Sequence, residues 1–224
     1  SVFTSIEALH KFNEVILKSK ANNLVWGGST ASVNKFKLFR PEEEFIDAKY
    51  HELKEIWDAL FEIFPDWNND RSKMRDHNAP IEDEAYSDHF LLWPIGLEFL
   101  AVLVREILDS KETNPDLTDC SIQEMLEPLG RLQWDFRKAP FNHVLLVPND
   151  KEEKIIISPT PKPVEHVLDI YRHILNTDSQ FSDEDFETLK VTSFGFMGVA
   201  LGDETEPKEE WWKDVKKIKE DFNS

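Results

Sequence analysis

Apolar residues are densest between Phe90 and Leu108, in the run FLLWPIGLEFLAVLVREIL. Leu92, Ile95, Phe99, Val102, Val104 and Leu108 recur at helical spacing, and apolar residues fill most positions between them. A helix that is apolar nearly all round belongs either in a membrane or in the middle of a core. Pro94, Glu98 and Arg105 interrupt this one, whereas a membrane span needs ~20 apolar residues with few or no charges. The pattern therefore predicts the central helix of a core and no membrane partner.

The other elements are predicted around that helix. Thr4 and Glu7 have capping-box spacing, and Ile6, Leu9, Phe12 and Ile16 form a stripe, so a helix is expected from Ser5 to Ser19. Ala21 to Arg40 is rich in Gly, Ser and Asn and reads as a loop. Its Gly27-Gly28-Ser29-Thr30 run lacks the Gly-Lys-Ser/Thr ending of a nucleotide-binding loop and reads as a turn. Pro41 is placed at the first position of a second helix, followed by Glu42, Glu43 and Glu44. Its stripe is Phe45, Ala48 or Lys49, Leu53, Ile56, Leu60 and Ile63, and Pro65 ends it before Trp67. Asn68 to Asp88 is a polar, acidic loop, as is Asp109 to Asp119.

Ser121 and Glu124 form a second capping box, opening a short helix with Ile122, Met125, Leu126, Leu129 and Leu132 on one side. Beyond it the period shortens. His143–Val147 and Lys154–Ile157 are short and β-branched, with Pro148 to Lys151 between them, and predict a β-hairpin over residues 143–157. After Pro159, Pro161 and Pro163, a helix from Val164 to Leu175 turns Val167, Ile170, Tyr171 and Ile174 to one side. Ser182 caps a short acidic helix through Leu189, Thr192 to Gly202 is a Gly-rich apolar loop or strand, and Glu206 to Phe222 forms a last helix docked by Trp211, Val215, Ile218 and Phe222. The expected fold is mainly α: one multi-helix domain, residues 1–224, around a central apolar helix, with a small β-hairpin inserted.

Charge narrows the function classes. The 224 residues carry a net charge of -18, which repels phosphate and makes the chain as a whole a poor sequence-independent binder of nucleic acid. It also makes a basic protein partner the natural one for the acidic surface. The lone Cys120 excludes an intrachain disulfide framework and a cysteine-ligated zinc site, and fits a reducing, cytoplasmic compartment. The first residues, SVFTSIEALHKF, lack the basic start and apolar run of a signal peptide.

Catalytic chemistry is not signalled. There is no GxSxG elbow, HExxH, Walker lysine or dinucleotide fingerprint, so no catalytic residue, metal ligand or cofactor is assigned. Of the seven histidines only His166 and His173 share a predicted helix, seven apart, too far for one metal; His166 has Glu165 and Asp169 as surface ion-pair candidates. Glu82, Asp83, Glu84 and Asp88 cluster with His77 and His89, and hard cations take carboxylate oxygens. The spacing matches no calcium loop, and a solvated loop is expected; a carboxylate-site metal enzyme is the least favoured of the functions considered.

The tryptophans Trp57, Trp67, Trp93 and Trp134 lie at or near the ends of apolar stretches, where core packing is expected; a stacking surface for planar ligands is the alternative. One local composition points to nucleic acid. Arg131, Arg137 and Lys138 bracket Trp134 and Phe136, the basic-plus-aromatic mixture of a nucleic-acid contact. A loop anchored by Trp134 accounts for the same residues.

The order of parts carries one resemblance. An opening helix holds Val2-Phe3-Thr4 and Leu9-His10-Lys11. A long helix with Trp57 ends in Phe64-Pro65-Asp66-Trp67. His89 and the apolar helix follow, then Leu132-Gln133-Trp134-Asp135-Phe136-Arg137, then Lys154-Ile155-Ile156-Ile157 and a helix. From Val2 to Leu175 this resembles the C-terminal part of the DGQHR-domain family of DndB-like DNA sulfur modification proteins. The Asp-Gly-Gln-His-Arg motif lies upstream in that family and is not in this chain. Where relatives show Asp-Trp-Ser-Arg, this chain has Gln133-Trp134-Asp135-Phe136-Arg137. The resemblance implies a C-terminal fragment of a bacterial accessory or regulatory protein tied to DNA modification, phage defence and transcriptional control, with DNA contacted mainly by an N-terminal part. It brings no catalytic residue to these positions.

Overall fold

The computed structural model describes residues 5–17, 42–68, 89–111, 114–136, 138, 140–149, 154–157, 161–175 and 217–222. The protein is mainly α-helical. Contacts gather the chain into two compact units, Ser1–Arg71 with Leu91–Arg131, and Ser72–Phe90 with Leu132–Ser224.

The first unit holds α1 (Ile6–Leu17), α2 (Glu43–Ile63), α3 (Pro94–Ser110) and the short α4 (Ile122–Leu126). α1 packs chiefly on α3, and α2 on α4. The cap of α1 falls one residue later than Thr4: the Ser5 hydroxyl accepts from the Ala8 amide at 3.1 Å, as a serine N-cap does. The buried stripe is accordingly Ala8, Phe12 and Ile16, and Ile6, expected inside, is 87% exposed. Lys11 reaches Glu98 of α3 at 3.0 Å. Arg105 forks onto Asp109 at 2.7 and 3.1 Å and donates to the Ile16 carbonyl at 3.2 Å. That contact satisfies one of the carbonyls a helix leaves orphaned at its C-terminal end.

The apolar run does not form one helix. The residue before a proline is driven to extended backbone, and Trp93 sits at φ -93°, ψ 142°. A 3₁₀ turn, Phe90–Leu92, therefore precedes α3, which starts at Pro94. Leu97, Phe99, Leu100, Ala101, Leu103, Val104 and Ile107 are buried; each large one contributes about 1.5–3 kcal/mol relative to exposure.

α2 begins at Glu43 with Glu42 in the cap position; Pro41, expected to open it, lies outside the described residues. Of the alternatives Ala48 and Lys49, Lys49 faces inward, 8% exposed and paired with Glu52. The helix ends at Ile63 with Phe64 as its C-cap, before Pro65 as expected, and Trp67 is fully buried. Trp57 donates from Nε1 to Asn13 Oδ1 at 3.0 Å and packs on Phe12 with centroids 4.5 Å apart. Asn114 accepts from the Asp116 amide at 3.1 Å to start a short 3₁₀ turn. Ser121 and Glu124 form the predicted reciprocal cap of α4. In the 3₁₀ segment after it, Gly130 passes so close to α2 that a Cβ would lie 2.9 Å from Ile63 Cγ2.

The second unit holds α5 (Phe141–Val144), strands β1 (Leu146–Asn149) and β2 (Lys154–Ile157), and α6 (Pro161–Leu175). The strands pair antiparallel, with Leu146 opposite Ile157 and Pro148 opposite Ile155. Two boundaries differ from the sequence reading. His143 and Val144 are helical, so the first strand starts three residues later than expected and takes in Pro148 and Asn149. α6 starts three residues early: Pro161 and Pro163 lie in its first turn, where a missing N–H removes no helical bond. Its buried side is Val167, Ile170, Tyr171 and Ile174, as the spacing predicts. Residues 217–222 are helical, and Lys219 Nζ lies 3.0 Å from His173 Nε2. The loop 21–40, the acidic cluster 82–88, the Ser182 helix, residues 192–202, Trp211 and Val215 lie outside the described residues.

Candidate functional site

The basic and aromatic stretch is built on an extended turn. Leu132, Trp134 and Phe136 are all buried. The Phe90 amide donates to the Trp134 carbonyl at 2.7 Å, and His89 and Asp135 form an isolated antiparallel bridge. Gln133 holds the turn from its other side. Its Oε1 accepts from the Asp135 amide at 2.9 Å, and its carbonyl accepts from the Tyr171 hydroxyl. The Lys138 amide donates to the Asp135 carbonyl at 3.0 Å, closing the turn.

Around that backbone the rings interlock. Trp134 meets Tyr171 edge-on at 5.4 Å. Phe90 lies 4.6 Å from Phe141 and 5.1 Å from Phe136, and Phe141 meets Tyr171 at 5.5 Å. Edge-to-face pairs at such distances add about 0.5–1.5 kcal/mol each beyond the area they bury. Burial also pushes the Tyr171 hydroxyl well above the usual tyrosine range, so it stays a neutral donor.

The candidate nucleic-acid residues thus part company. Trp134 is 4% exposed and presents no face for a base to stack on. Arg131 and Lys138 are exposed; Arg131 belongs to the first unit and Lys138 to the second. Arg137 lies outside the described residues. Trp67 is fully buried, whereas Trp57 and Trp93 are half-buried. The signal for Trp134 was legible: Leu132, Trp134 and Phe136 alternate with polar residues, the period of an extended segment with one side inward.

A second surface, not singled out from the sequence, lies on the outward side of α2. Glu43, Asp47, Tyr50, Lys54, Asp58 and Phe61 recur at spacings of three and four and are all exposed. Lys54 is paired with Asp58, which raises the lysine above its ordinary range through their hydrogen bond. Tyr50 is 62% and Phe61 41% exposed. Apolar residues off the inward stripe were the signal available for this face.

Among the described residues the histidines do not gather into a metal-holding group. Asp169, which with Glu165 was an ion-pair candidate for His166, pairs with Arg172 at 2.7 Å, and His173 lies against Lys219. Among the described residues no three His, Cys, Asp or Glu side chains are placed to share a metal, and no helix is long and apolar enough to cross a membrane. Comparison with protein-family models, with curated proteins and with solved structures finds no match.

Proposed function

We propose that this chain is a helical structural or regulatory module of a DNA-modification or phage-defence protein, working through contact with a basic partner rather than through its own grip on DNA. The burial of Trp134 carries this reading. It removes the stacking group from the basic and aromatic stretch between Arg131 and Lys138, within a chain of net charge -18. What remains outward on the long helix is mostly carboxylate. The setting comes from the order of parts: an opening helix, a long helix closed by Phe64-Pro65-Asp66-Trp67, the apolar helix, the Trp134 turn, and the 154–157 segment leading into a helix. That order resembles DGQHR-domain proteins.

The test has two arms on the full chain. Fluorescence anisotropy with a labelled DNA duplex is expected to show no binding at near-physiological salt, because an acidic surface gains nothing from counterion release. The same measurement with labelled polylysine is expected to show binding that weakens as salt rises. Duplex binding abolished by changing Arg131 and Lys138 to Ala would overturn the reading. Absence of polylysine binding at low salt would do so as well.

A further inference from the structure

We propose that His173 and Lys219 form an acid-sensitive latch: a neutral imidazole holds the terminal helix, residues 217–222, on α6, and a proton on the ring releases it. The device is separate from the basic-partner reading and stands without it. Two observations meet here. The first is the covered side of the terminal helix. Ile218, Lys219 and Phe222 are half-buried while Lys217, Glu220 and Asp221 are exposed, the spacing of a helix lying against something on one side. The second is what Lys219 touches. Its Nζ lies 3.0 Å from Nε2 and 3.5 Å from Nδ1 of the half-buried His173.

An ammonium has only protons to give, so a ring nitrogen within its reach must offer a lone pair. Neutral imidazole has one lone pair of this kind and imidazolium has none. Protonation of His173 thus removes the acceptor and sets a second positive charge beside the first. At 3.0 Å that repulsion shifts an equilibrium about tenfold even at the dielectric constant of water. The ammonium stays charged across pH 5–8, whereas histidine changes charge within that range. Docking favours the unprotonated ring, so it is complete above the histidine range and lost as the pH falls through it. The groups around the ring do not reverse the sign. Asp169, one turn back on α6, is engaged by Arg172 at 2.7 Å. His166, two turns back on the same side, adds positive charge in acid. On the terminal helix Glu220 and Asp221 are exposed on the sides away from Ile218 and Phe222. α5, which also packs on α6, brings His143 as its titratable residue.

The experiment follows amide hydrogen exchange by mass spectrometry on the full chain at pH 7.5 and 5.5, each corrected for the intrinsic rate at its pH. In the unmodified protein, protection of residues 217–222 is expected to fall about tenfold in acid, while α6 keeps its own. Lys219→Gln removes the permanent charge and leaves an amide oxygen that accepts from either form of the ring. His173→Gln gives the lysine an acceptor that does not titrate. Both variants are expected to hold the same protection at the two pH values. Equal protection at both pH values in the unmodified protein overturns the latch. So does an acid-induced loss of the same size in Lys219→Gln, which would assign it to another group, or a loss that extends over α6, which would make it general unfolding. Should either variant fail to dock the helix at pH 7.5, salt decides: about 1 M KCl screens charges beyond about 3 Å. It should restore protection to the unmodified protein at pH 5.5, and unchanged protection there refutes the proposal.

Discussion

Replacing Trp134 by alanine separates a core anchor from a ligand-stacking residue. A buried tryptophan removes on the order of 200 Å² from water, and at about 25 cal/mol per Å² that amounts to ~5 kcal/mol as an upper bound. The alanine that remains recovers a little, and the cavity left beside Tyr171 and Phe141 takes some back, which brings the expected loss to about 4 kcal/mol, within the 3–5 kcal/mol seen for large aromatics cut to alanine. Domains are stable by only about 5–15 kcal/mol, so roughly a quarter to four-fifths of the margin would go. In urea, with a slope of about 2 kcal/mol per M, the midpoint should fall by roughly 2 M. Far-UV circular dichroism reads this without relying on the fluorophore that has been removed. Trp134→Phe keeps a ring near Tyr171 and should lie between the two. Lys138→Ala, on the exposed side of the same turn, should stay within about 0.5 kcal/mol of the unmodified protein. A Trp134→Ala midpoint equal to that of Lys138→Ala would refute the reasoning and return Trp134 to the surface.

Other changes test separate parts of the structure. Tyr171 keeps its proton in the fold well above the usual range, while the unfolded chain releases it near pH ~10. Its contribution is therefore intact below pH ~10 and falls at higher pH by about 1.4 kcal/mol per unit; the stability gap between the unmodified protein and Tyr171→Phe should narrow between pH 9 and 11, and a constant gap would contradict the burial. Ser121→Ala should destabilise by about 1 kcal/mol and Ser121→Asp by almost nothing, read by thermal melting; equal melts would deny the cap. The Glu124 carboxylate, held below its usual range first by the Ser121 amide and then by its hydroxyl, should add stability that is present above the ordinary carboxylate range and lost as the pH drops below it, a dependence missing in Glu124→Gln. Arg105→Lys gives up the fork on Asp109 and the bond to Ile16, and should lose about 1–2 kcal/mol in denaturant titration.

Where local rules act alone, the sequence was a sound guide. The reciprocal cap of Ser121 and Glu124, the stop at Pro65 and the inward side of α6 all depend on spacing within one turn or one helix. The misplacements come where a second rule competes. Hydropathy put Ile6 inside, but the cap at Ser5 sets the start of α1, and its inward stripe runs through Ala8, Phe12 and Ile16. Density of apolar residues made Phe90 to Leu108 one rod, but Pro94 imposes an extended residue at Trp93 and divides it. β-branched composition drew His143 and Val144 into a strand, but they complete the short helix begun at Phe141. Around Trp134, composition drew attention to the charges at the ends of the stretch, whereas the alternation of Leu132, Trp134 and Phe136 carried the structural message. The exposed rings of α2 were missed because a stripe analysis looks for what a helix hides, and Tyr50 and Phe61 lie on the side it shows.

The two units draw on interleaved parts of the chain, and this gives their assembly a direction. Once Arg131 has left the ribosome, every residue of the first unit has been made. Phe90 has been made too, but its ring partners Phe136 and Phe141 come later, so this ring must wait, unburied, for up to 51 residues of further synthesis. A fragment ending at Arg131 is thus a sensible object to express, whereas one starting at Leu132 lacks a ring its aromatic cluster is built on. Mapping any binding activity by truncation from the front would report a fold lost rather than a contact removed.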